Sequence, residues 1–135
     1  MTVTFQPCEA VIGAEVVGVS LVHPPNAAVV SALEEGLEQY AVLIFHNQNI
    51  TPEQQVAFSK AFGRLAIPQT KSSNPGTELP DAILAVGNTG NSLVTFSPAM
   101  PDGELEWHSD HIHRQVPARA SLLHARIIPA HGGDT

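Results

Sequence analysis

Five of the seven histidines of this chain fall between His108 and His131, and the densest stretch reads Trp107-His108-Ser109-Asp110-His111-Ile112-His113. Alternate residues of an extended strand project from the same face, so His108 and Asp110 would aim an imidazole nitrogen and a carboxylate oxygen at one point. That arrangement suits a shared metal ion. A histidine and a carboxylate make up two thirds of the 2-His-1-carboxylate facial triad, which leaves coordination positions open on non-haem Fe(II). A second histidine has to come from elsewhere. Taken alone, the His-x-Asp triplet describes a hydrogen-bonded surface pair better than a metal site. A zinc hydrolase using His108, Asp110, His111 and His113 is a competing metal reading. It ranks lower, because four ligands within six residues of one strand point to opposite faces.

The elements that must position this cluster can be read from periodicity and punctuation. Val11 to Leu21 is rich in β-branched residues and interrupted by Gly13 and Gly18, which predicts a strand pair or a bent strand. Asn26 can cap a helix whose apolar positions Val29, Val30, Leu33, Leu37 and Tyr40 recur at three- and four-residue intervals, with Glu34, Glu35 and Glu38 on a solvated face. Ala41 to Phe45 is a short, continuously apolar run, predicted to be a buried strand. Thr51-Pro52-Glu53-Gln54 carries a hydroxyl cap, a proline at the first helical position and a glutamine placed to close a capping box, and Gly63 ends the helix. Val56, Ala57, Phe58, Ala61 and Phe62 form its predicted buried side.

Beyond this, Ile67 to Asp81 reads as a surface connection and Ala82 to Val86 as a strand. Gly87 to Glu106 is loop-rich, with a candidate strand at Leu93 to Phe96, and Ala120 to Ile128 is again strand-like. Strands, two helices and many turns predict a mainly β domain with flanking helices.

Composition narrows the function classes. With 135 residues the chain makes one domain at most, and 14% charged against 43% hydrophobic residues argues against global disorder. The formal charge of −7 disfavours nucleic acid and anionic membrane surfaces as partners, and no apolar run is long enough to span a bilayer. Cys8 is the single cysteine, so no intrachain disulfide forms, and a reducing, cytoplasmic setting fits.

The triplet gains weight from its surroundings. Trp107-His108-Ser109-Asp110, then Pro117, the Ser121 to Ile128 segment, Pro129 and Gly132-Gly133-Asp134-Thr135 together resemble the taurine dioxygenase and 2,4-dichlorophenoxyacetate dioxygenase family of Fe(II)- and 2-oxoglutarate-dependent oxygenases. Upstream, Leu43-Ile44-Phe45-His46-Asn47-Gln48, Thr51 to Gln55 and Phe58 to Leu65 look like the N-terminal half of the same family, in the same order. The resemblance implies a partial double-stranded β-helix, or jelly roll, truncated before its C-terminal strands, with residues 1–135 the N-terminal part of a single domain.

The resemblance also implies the chemistry. His108 and Asp110 correspond to the first metal histidine and the metal carboxylate, and Thr135 to a threonine that helps hold a carboxylate of 2-oxoglutarate. The resemblance carries over these three residues only; His111 is read from its place beside Asp110, either as a local hydrogen-bonding or solvent-exposed pair with His113, which is the favoured reading, or as a border of the substrate cavity that would bind an anionic group when protonated. The cofactor would be Fe(2+), with 2-oxoglutarate and O2 as co-substrates, converted to succinate and CO2 as a small anionic organic substrate is hydroxylated. In the family the second metal histidine and an arginine that pairs with 2-oxoglutarate lie beyond the Gly-Gly-Asp-Thr element, so the 135 residues alone are expected to be inactive. A homo-oligomer at full length is compatible with this reading. A non-catalytic jelly-roll binding module is the alternative from another function class.

Overall fold

The computed structural model describes residues 2–67, 79–84, 112–128 and 130–131. By its contacts the chain divides into two compact units, Met1–Thr95 and Phe96–Thr135. Among the described residues all regular elements lie in the first unit. In chain order they are β1 (Thr4–Pro7), β2 (Ala14–Val17), α1 (Ala27–Tyr40), β3 (Leu43–Ile44) and α2 (Pro52–Ser59), the last running into a 3-10 turn at Lys60–Phe62.

The three strands make one sheet in the order β1-β2-β3. β1 and β2 are antiparallel, pairing Phe5 with Val16 and Gln6 with Glu15, whereas β2 and β3 are parallel, pairing Ala14 with Leu43. Alternation along β2 sends Ala14 and Val16 into the core, both buried, and leaves Val17 exposed on the opposite face. The parallel pair needs a crossover, and α1 supplies it. Asn26 starts α1 by accepting a hydrogen bond from the Val29 N–H through its side-chain oxygen, at 3.0 Å.

Leu33, on the inner face of α1, is only 2% exposed and joins Val16, Leu21, Ile50 and Phe58 in the core. Burying such a side chain contributes roughly 1.5–3 kcal/mol. Gly36 sits on the same face because the Phe5 ring of β1 occupies the space where a side chain would start: a Cβ there would stand 2.4 Å from the ring. Phe5 in turn packs on Tyr40, with ring centroids 5.8 Å apart. The hairpin is thereby seated against the helix by an aromatic pair and a missing methyl.

The helix ends abruptly at Ala41, which has φ 63°. There the Val42 N–H donates to Tyr40 O at 2.8 Å, a three-residue turn of the strained γ type, while the Ala41 N–H still reaches Leu37 O at 2.9 Å. Gly13 and Ala14 donate to Tyr40 O and Val42 O, so the same turn lays β3 along β2. Gln48 closes the far side: its oxygen accepts from the Leu21 N–H at 3.0 Å and its amide donates to His46 O at 2.9 Å.

α2 has the reciprocal cap read from its sequence. Thr51 Oγ1 accepts from the Gln54 N–H at 3.3 Å, and Gln54 Oε1 accepts from the Thr51 N–H at 2.8 Å. The exposed Glu53 carboxyl is held below the usual carboxylate range by its own backbone N–H and then by the Thr51 hydroxyl. Thr51→Ala should destabilise the fold by about 1 kcal/mol, read by chemical denaturation. It should also move Glu53 back toward the ordinary carboxylate value in an NMR titration. The depressed value carries a sign: the Glu53 interactions stabilise the fold above the unfolded value and are lost as pH falls through the folded one.

Several sequence expectations change on contact with the structure. Of the two expectations for Val11 to Leu21, a strand pair or a bent strand, the structure has a single short strand, β2; its partner is β1, which precedes that stretch, and Val11 and Ile12 are exposed in the connection. The predicted buried strand Ala41 to Phe45 shortens to Leu43–Ile44, because positive φ at Ala41 and at Asn47 turns the chain on either side, and Val42 and Ile44 stay exposed at the sheet edge. Ala61 is exposed, since tightening to three residues per turn rotates it away from the face that Phe58 and Phe62 share.

Ala82 to Leu84 is not a strand: the Ile83 N–H folds back to Pro80 O at 2.9 Å, a turn. The rest of that expectation, and the Leu93 to Phe96 strand, lie outside the described residues. Ala120 to Ile128 is not a strand either. A strand is defined by its ladder, and among the described residues this segment is in none. Among the described residues helix exceeds strand, so the mainly β expectation reduces here to a small sheet with a few helices.

Candidate metal centre

The two units divide the chemistry as well as the chain. His108, Asp110, His111 and Thr135 all belong to the second unit, and all four lie outside the described residues. The described part of that unit begins directly after His111, at Ile112, and ends before Thr135. His113 is exposed, Arg114 and His124 are half-buried, and His131 is exposed. Apolar side chains are open to solvent along the same stretch, Leu123 at 85% and Ile127 at 81%.

Among the described residues, no group of three or more His, Cys, Asp or Glu side chains could hold a metal ion. The first unit shows why its own histidines are poor substitutes. His46 Nε2 stands 3.3 Å from Glu15 Oε1, and both side chains are about half exposed. That pair bridges β2 and the turn after β3. His23 is exposed in the connection between β2 and α1. The first unit is held by an aromatic cluster in which Phe58 meets Phe45 edge-on at 6.4 Å and Phe62 at 5.5 Å.

The donor set of the candidate centre can be judged by its chemistry. One imidazole nitrogen and one carboxylate oxygen, two residues apart, match ferrous iron in type and would make two of the three protein ligands of a facial triad. Thiolates are absent from the cluster, since Cys8 lies in the first unit.

The family model for the taurine catabolism dioxygenase TauD, TfdA family matches residues 4–135. The chain belongs to this family. Among its curated TauD/TfdA relatives is an (S)-phenoxypropionate/alpha-ketoglutarate-dioxygenase of Sphingobium herbicidovorans, 33% identical over 129 residues, covering 96% of this chain and 42% of the relative. Another is an alpha-ketoglutarate-dependent 2,4-dichlorophenoxyacetate dioxygenase of Cupriavidus pinatubonensis, 29% identical over 154 residues, covering 100% of this chain and 49% of the relative. The chain thus spans less than half the length of the curated relatives it matches.

A crystal structure from Burkholderia xenovorans, assigned as an alpha-ketoglutarate-dependent taurine dioxygenase, is 33% identical with a TM-score of 0.50, over 53% of this chain and 26% of that one. Both ends of the functional cluster, Trp107 to Asp110 and Gly132 to Thr135, fall inside the range matched to the TauD/TfdA model. No helix among the described residues is long and apolar enough to cross a membrane.

Proposed function

We propose that residues 1–135 are the N-terminal part of a single cytoplasmic Fe(II)- and 2-oxoglutarate-dependent dioxygenase domain that hydroxylates a small anionic organic substrate. In this reading the domain is a double-stranded β-helix. The observation that carries this is the TauD/TfdA match across residues 4–135 with a His-x-Asp triplet and a Gly-Gly-Asp-Thr element inside it.

In this proposal His108 and Asp110 hold the iron, leaving open positions on one side of it. Ferrous iron supplies the oxidising chemistry there, with O2 and 2-oxoglutarate consumed and succinate and CO2 released. The Thr135 hydroxyl donates a hydrogen bond to a carboxylate of 2-oxoglutarate and fixes its orientation. His111, next to Asp110, offers a ring N–H to the substrate's anionic group. A single cysteine, with no disulfide to form, fits the reducing cytoplasm.

An anionic substrate suits both the relatives and the chain. The matched dioxygenases of Sphingobium and Cupriavidus are named for phenoxypropionate and 2,4-dichlorophenoxyacetate, which are carboxylates at neutral pH. Residues 111–131 of this chain contain Arg114, Arg119 and Arg126 and no Asp or Glu, although the protein as a whole is acidic. Three fixed cations in a stretch that begins next to the metal pair favour a negative ligand.

The test is succinate release from 2-oxoglutarate, using the enzyme at its family length with ferrous iron, against aryloxy-carboxylates and their neutral amides. Turnover of the acids should exceed that of the amides by about tenfold or more, a difference of about 1.4 kcal/mol in transition-state binding. Retention of zinc in place of iron, with no succinate from any substrate, would refute the oxygenase proposal.

A further inference from the structure

We draw no further inference here: the strongest candidate, the exposed apolar run at residues 112–128 that carries Arg114, Arg119 and Arg126, is an open surface for which nothing in the structure shows what covers it.

Discussion

Replacing His108 or Asp110 by alanine should lower succinate formation by at least about two orders of magnitude, with a matching loss of bound iron. The size follows from the ligand count. Even a side chain that only supports a metal ligand costs about 10–100-fold in affinity or activity when removed, so a direct ligand should cost more. Where three protein groups share an ion, losing one leaves two and a site open to water on another side. Far-UV circular dichroism should be unchanged in both variants, because the helices and strands among the described residues all belong to the first unit, whereas the pair belongs to the second. Turnover that survives either substitution would show that the pair does not hold the metal, even with the family membership intact.

The second large effect concerns the core of the first unit. Phe58→Ala should destabilise the fold by about 3–5 kcal/mol, measured by urea denaturation, since the ring is 2% exposed and truncation leaves a cavity as well as losing burial. Phe58 is where α2 reaches the core. It touches Phe45, which follows β3, and Phe62 in the 3-10 turn. Phe58→Leu keeps most of the volume and should recover a large part of the loss. If Phe58→Ala cost less than about 1 kcal/mol, the core would not be organised around this ring.

How much of this was legible in the residues themselves depended on the range of the interaction. The two helices were, because caps are local: Asn26 reaches three residues to Val29, and Thr51 and Gln54 satisfy each other. Leu33 and Phe58 followed from the apolar periodicity of those helices. The strands were read poorly, because a strand needs a partner whose position is set by the whole fold. Thr4–Pro7 offers little apolar signal and becomes a strand by pairing with Ala14–Val17, whereas Ala120 to Ile128 has the composition of a strand and no ladder among the described residues.

Turn chemistry was the other gap. Ala41 takes a positive φ that its residue type does not announce, and that single turn shortens β3. The Gly36 contact was equally invisible, since nothing near residue 36 points to a ring from residue 5. At the candidate centre the pattern was reversed. His108 and Asp110 lie two residues apart, so the proposal that they act together rests on local spacing, and both lie outside the described residues. The remaining histidine of a facial triad would come from distant sequence, which no local spacing reveals.

The central claim is that the side chains at positions 108 and 110 coordinate one ion. An anaerobic crystal structure of the family-length enzyme with ferrous iron, or with manganese in its place, tests it most directly. One ring nitrogen of His108 and one carboxylate oxygen of Asp110 should lie about 2.0–2.2 Å from the same ion, close to the distances of other first-row divalent sites. An ion bound elsewhere, with these two side chains directed away from each other, would contradict the account.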